Sequence, residues 1–360
     1  MAFIQPPPEN HHSNHLQIHH IPQSNYIDAL RWLPSLSAVN KTAVLSLYNP
    51  NTSSSTIEIH SFDPLNHPIL SPLSSYHYLS RTSSLKTTPT LIAFSSFSGS
   101  LSFLPPSASP DYEPVSVLES GFHSGAVSDI DLLEGGEGEF CCVSVGEDGR
   151  VNLVNVGGGK VDYRRVFDGD GLVSYNAVKW ASPMEFVTGG FGWSLQWWDQ
   201  RRKLGEPVLQ FKPHWPQITS SGVVHSIDVH PSRKHTCVAG GSSGVVYAWD
   251  LRWPQQPIIL SGAGIGDRQV PPISESEVWD VQFDCHAQSS NISSMTSSKI
   301  LPVMMCSEDG ILAVLEAGGA ESTEFLEEHC AINCLDIDKH NNSDIICGLE
   351  WESVAVILRS

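Results

Sequence analysis

Positive charge is scarce in this 360-residue chain, where 20 Lys and Arg stand against 39 Asp and Glu for a formal net charge of −19. Phosphate-backbone binding is driven by Lys and Arg displacing counterions, so this composition argues against direct nucleic-acid binding. An acidic surface can hold a basic protein, but net charge reports first on solubility. Long apolar runs are missing too. No stretch approaches the ~20 apolar residues of a membrane helix, and no membrane insertion is expected. Residues 1–21 hold prolines and histidines rather than a basic start and an apolar core, which does not read as a secretory leader. Without such a leader the eight cysteines are expected to be reduced. Cys141, Cys142, Cys237, Cys306 and Cys347 fall in apolar strand patterns, as small buried hydrophobes do. The Asn-x-Ser/Thr matches at Asn40, Asn51, Asn291 and Asn341 are then chance, and the expectation is an intracellular protein.

What is present is a repeat. An apolar–polar–apolar strand core returns as Leu30-Arg31-Trp32, Ile130-Asp131-Leu132, Val178-Lys179-Trp180, Ile227-Asp228-Val229, Val281-Gln282-Phe283 and Leu335-Asp336-Ile337. Successive steps are 100, 48, 49, 54 and 54 residues. The first is two periods long, and Tyr76-His77-Tyr78 reads as a weaker copy in the gap, making seven units. Strand patterning at a period of roughly 40–50 residues is the signature of a β-propeller.

Each unit reads as four strands. In the third, Val127 to Leu132 alternates, Glu139 to Val145 is mostly apolar, and Gly146-Glu147-Asp148-Gly149 turns the chain into Arg150 to Val156. Asp-Gly between apolar runs is a strong hairpin signal, because Gly accepts positive φ without steric cost. The sixth repeats it as Val303 to Ser307, Glu308-Asp309-Gly310 and Ile311 to Leu315. The fourth and fifth end their third strands in Trp198-Asp199 and Trp249-Asp250, the dipeptide of the WD repeat, and these Trp rings are expected to pack between blades. The chain stops after Val354 to Leu358 with no room for a fourth strand, so Leu16 to Ile21 is expected to close the last blade and remove two sheet edges. The expected fold is therefore all-β, a seven-bladed WD-repeat propeller over 15–360. It follows a disordered Pro- and His-rich tail at 1–14 and carries a Ser-rich insertion at about 286–299 in blade six.

Several motif matches dissolve in context. Gly240-Gly241-Ser242-Ser243-Gly244 fits the serine-hydrolase elbow, but a strand ending in Trp-Asp follows instead of a helix. Gly262-Ala263-Gly264-Ile265-Gly266-Asp267 has Asp in place of a dinucleotide loop's third Gly, and Gly157-Gly158-Gly159-Lys160 lacks the rest of a phosphate loop. Cys330 and Cys334 beside His329 have no second short-spaced pair for zinc. His123, Ser144 and Asp148 imitate a catalytic triad. A His at a blade entrance, a strand Ser and a turn Asp instead resemble the buried hydrogen-bond network of WD repeats, and they are read as architecture. No enzyme, metal or cofactor is expected. A hydrolase on this frame would need Asp, Glu or His converging on the central channel.

The C-terminal two-thirds resemble the nucleoporin 43 family, small WD-repeat subunits of the nuclear pore's Y-shaped outer-ring complex. The resemblance is carried by Val145 through Leu153; by His230-Pro231, Ala239-Gly240-Gly241, Trp249-Asp250-Leu251-Arg252 and Pro257; and by Glu277 through Val281. Cys306 through Gly310, Leu335-Asp336, Cys347-Gly348 and Glu352 to Val356 complete it. The first two blades share little beyond Arg31-Trp32-Leu33-Pro34. This resemblance implies a scaffold subunit at the nuclear envelope that binds other nucleoporins, including an α-solenoid subunit of the short arm. It also implies a role in nucleocytoplasmic transport and mRNA export.

Loop aromatics are the expected partner anchors, because interface hot spots favour Trp, Tyr and Arg. They are Phe191, Trp193, Trp215 and Trp253, each weighed against packing between blades. A second reading takes Trp198-Asp199-Gln200-Arg201 and Trp249-Asp250-Leu251-Arg252 as Trp-Asp-x-Arg segments that dock a cullin ligase's propeller adaptor. Ser243 and Ala248 depart from the longer box that this role prefers.

Overall fold

A computed structural model describes residues 16–359, apart from 35–40, 65–66, 110, 118–120, 137, 170–172, 204, 212–221, 254–256, 263, 266–267, 287–299, 317–321 and 351. Trp215, the tail at 1–14 and nearly all of the Ser-rich insertion lie outside the described residues.

The described strands form seven four-stranded antiparallel sheets and one small hairpin, Gly264–Ile265 with Arg268–Gln269, between blades five and six. The inner strands of blades one to seven are Tyr26–Leu33, Thr82–Thr87, Val127–Glu134, Tyr175–Ser182, Val224–Val229, Val278–Phe283 and Ile332–Ile337. Gln17–Pro22 pairs antiparallel with Ser353–Leu358, so the start of the chain supplies the outer strand of blade seven. That is the expected closure.

Blade two corrects the sequence reading. Tyr76-His77-Tyr78 ends His67–Tyr78, the outer strand of blade one, and the inner strand of blade two is Thr82–Thr87 around Leu85. Its serines and threonines hide the apolar–polar–apolar pattern that marks the other six. A shared irregularity reveals it. Near its start every inner strand shifts register against its neighbour, leaving an extra residue: Asp28, Ser83, Ser128, Asn176, His225, Trp279 or Asn333; the blade-four strand shifts again at Ala181. A bulge bends a strand and increases its twist, which suits the crowded centre of a ring.

The core lies between blades rather than within them. One apolar cluster fills each of the seven interfaces, from the Ala29, Val44 and Ile57 group against Leu85 and Phe94 to the Val354 and Val356 group against Leu30 and Leu45. Trp198 joins the interface of blades three and four, and Trp249 that of four and five, its ring tilted against Phe211 with centroids 5.2 Å apart. Each blade is amphipathic in two directions, so no blade can bury its faces alone. Of the five cysteines expected to be buried in strands, Cys142, Cys237, Cys306 and Cys347 are fully buried and Cys141 is half-buried; burial pushes Cys237 up to about 12. Cys330 and Cys334 enter different interface clusters.

Candidate protein-binding faces

An antiparallel four-stranded meander puts its loops at two ends. Second-to-third turns and the connections between blades share one face, here the hairpin face. First-to-second and third-to-fourth loops share the opposite face. His123, Asp148, Phe191, Trp193 and Asp309 therefore belong to the hairpin face, and Trp253 to the opposite one.

The three residues of the apparent triad do meet. His123 Nδ1–H donates to Asp148 Oδ1 at 3.0 Å, leaving Nε2 to accept from Ser144 Oγ and Asn152 Nδ2, each at 3.0 Å. The Ser124 and Arg150 backbone N–H groups also donate to Asp148. Burial works to raise the Asp148 pKa, but the His123 hydrogen bond and these backbone donors outweigh it and bring the group down to about 2. The Ser144 hydroxyl is fully buried and committed to the ring. A nucleophile must face a reacting atom, and this one faces a strand interior. The network ties blade entrance, second strand and turn together.

The central channel gathers what a hydrolase would need, five carboxylates from Asp129, Asp131, Asp228, Asp280 and Asp336, around a cavity of about 410 Å³. Their partners decide their role. Asp131 accepts the Trp180 N–H at 2.8 Å, Asp228 that of Phe283 at 2.9 Å, and Asp336 that of Trp32 at 2.7 Å. Gln282 does the same for Ile337 at 3.1 Å. In each case the polar residue at the middle of one triplet caps the backbone of the next blade. Blades one, two and four carry Arg31, Lys86 and Lys179 at this position, and these cations pair with Asp280, Asp129 and Asp228 at 3.3, 3.7 and 3.2 Å. Burial raises the Asp336 pKa, and Arg31 opposes that shift. The channel is a ring of staples between blades. The sequence carried the signal, since five of the six marked triplets have a charged middle residue.

The aromatic anchors divide. Trp253 is 70% exposed and Phe191 53%. Trp193 is not an anchor: it is 3% exposed and packs in the blade four–five interface, its ring 6.0 Å from Tyr247. Its φ of 56° turns the side chain inward, and close contact with Gly222 covers the indole. Both Trp-Asp-x-Arg arginines fold back on their own aspartates. Arg201 reaches Asp199 through Nε and Nη2 at 2.8 Å each, and Arg252 reaches Asp250 at 2.9 and 2.6 Å.

No family model matches the chain. It is 51% identical over 362 aligned positions to the nuclear pore complex protein NUP43 of Arabidopsis thaliana, covering 95% of this chain and 98% of that protein. It is 30% identical over 174 residues to the nucleoporin Nup43 of Mus musculus and 29% to that of Homo sapiens. Each of these matches covers 47% of this chain and 37% of the relative.

Proposed function

Because the chain belongs to the Nup43 family of nucleoporins, we propose that it is a non-enzymatic scaffold subunit within the nuclear pore complex at the nuclear envelope. Its work is to bind other scaffold nucleoporins, among them an α-solenoid subunit of the short arm of the Y complex. Through that assembly it supports nucleocytoplasmic transport and mRNA export. The observation that carries this reading is identity running the whole length of both proteins, 95% of one and 98% of the other.

The physics of the fold supports the role. Seven apolar interfaces and a stapled channel hold the loops on a stiff frame, so binding through them costs little ordering entropy. The His123–Ser144–Asp148 network and the channel carboxylates spend their polar groups on that stiffness.

The test is affinity purification of the tagged full-length protein from its own cells, read by mass spectrometry, with fluorescence imaging of the nucleus. A stoichiometric set of scaffold nucleoporins and a nuclear rim are expected. Recovery of a cullin and its propeller adaptor without nucleoporins would overturn the reading and turn attention to Arg201 and Arg252, both exposed on the opposite face.

A further inference from the structure

Six of the chain's 20 Lys and Arg residues stand together on the opposite face of blades four and five. Arg201, Arg202 and Lys203 follow Leu195–Asp199 in blade four; Arg233 and Lys234 precede Thr236–Gly241, and Arg252 follows Val246–Asp250, in blade five. These loops form one surface. Lys234 and Arg201 reach the same Glu185 carboxylate at 3.2 and 3.3 Å, bridging the two blades. The Gln200 N–H donates to Met184 O at 2.9 Å, and the Leu251 N–H to His235 O at 2.8 Å. The most exposed apolar side chains on this surface are Trp253 at 70% and Met184 at 47%, with Val208 beside them. The carboxylates among these loops, Glu185, Asp199, Glu206 and Asp250, are outnumbered six to four by the cations in a chain whose overall balance is the reverse.

We propose that this face of blades four and five docks an acidic segment of a partner protein, with an apolar side chain of that segment covering Trp253. The proposal rests on the scaffold reading above and names the surface and partner chemistry that serve it. Charge complementarity argues for it. A chain at −19 repels acidic segments over most of its surface, so a local cationic surface selects where one can land. Arg201 and Arg252 are held as planar forks by their aspartates, which lowers the ordering cost of binding. An exposed Trp flanked by Arg is the composition of a hot spot. Carboxylates interleaved with the cations suit a protein segment of defined register better than a uniformly anionic bilayer.

The full-length tagged protein is compared with a Trp253→Ala, Arg202→Glu, Lys203→Glu variant by quantitative recovery of nucleoporins. A photoreactive phenylalanine at position 253 then maps the segment that lies against it. Recovery should fall at least about fivefold in the variant, with an unchanged thermal midpoint. The crosslinked segment should be net acidic. Phe97→Ala, an exposed aromatic in the blade-two hairpin on the other face, should leave recovery unchanged. Equal recovery by wild type and variant, or crosslinks to a neutral or basic segment, would overturn the proposal and leave the scaffold reading standing. Binding of phosphatidylserine vesicles by the wild type, lost in the variant, would assign the face to lipid instead. If the wild type itself recovers no nucleoporins, the scaffold reading fails first and takes the proposal with it.

Discussion

Blades three and six build the same turn and secure it differently. Gly146-Glu147-Asp148-Gly149 and Ser307-Glu308-Asp309-Gly310 both place an aspartate one residue before a glycine with positive φ, 72° at Gly149 and 85° at Gly310. In blade three an imidazole spans from the turn aspartate to the buried Ser144 and Asn152. In blade six Ser274 stands at the blade entrance, and the Ser274 and Ser307 hydroxyls both donate to Asp309, at 2.8 and 2.5 Å. The Glu275 N–H completes the set at 3.2 Å. The turn therefore depends on an acceptor at the aspartate position and on the glycine after it. The donor can be a ring or a pair of hydroxyls. A ring reaches further and so links more of the blade, but leaves more buried groups at risk.

The largest effect should come from what the two blades share. An added Cβ at Gly149 would lie 2.3 Å from the Val173 carbonyl oxygen, and one at Gly310 would lie 2.1 Å from that of Glu328. Both obstacles are backbone, and both glycines already have φ values that L side chains avoid. Gly149→Ala and Gly310→Ala should each cost about 3–4 kcal/mol in chemical denaturation. Nearly neutral values for both would mean that these turns relax freely, and the comparison would lose its common element.

The next effect should separate the blades. Asp148→Ala strands the buried His123 N–H together with the Ser124 and Arg150 N–H groups, at about 3 kcal/mol. Asp309→Ala releases two hydroxyls that can rotate toward other acceptors, at about 1–2 kcal/mol. The same denaturation series would sink the distinction if the two losses came out equal or reversed.

The smallest effect is a matter of pH. Asp148 is brought down to about 2, below an unfolded value of about 3.9. Its stabilising contribution is therefore complete above the unfolded value and drains away as pH falls from about 4 through 2. The stability gap between wild type and Asp148→Asn should be constant from neutral pH to about 5 and shrink below about 4. A gap that stays constant to pH 2 would mean that the His123 contact does not favour the charged carboxylate.

Much of this was legible in the residues because the causes are short-range. Ile130-Asp131-Leu132 and its copies announce inner strands, Asp-Gly announces the hairpins, and His123, Ser144 and Asp148 announce the network that the structure assembles. Blade two escaped because Thr87 stands where the other triplets end in an apolar residue and Ser83 and Ser84 precede Leu85, although Lys86 keeps the charged middle. Its bulge, the feature it shares with the other six, shows only in strand pairing. Trp193 escaped because a single positive φ reversed its direction, and nothing in Phe191-Gly192-Trp193 distinguishes an inward ring from an outward one. Asp131, Asp228 and Asp336 were in view as triplet middles, whereas Asp129 and Asp280 stand one residue before theirs, and all five have partners in other blades.

The sequence alone determined the period that counts seven blades, the ring closure read at Leu16 to Ile21 and found at Gln17–Pro22, the hairpin network and the family, since alternation, turn chemistry and identity are properties of contiguous residues. Tertiary structure alone decided which carboxylate faces which cation, as with Arg31 and Asp280, 249 residues apart. It also decided which aromatics are buried, and that the basic loops of blades four and five lie side by side. Those outcomes depend on how separate blades are set around one axis, and no local pattern of residues encodes that geometry.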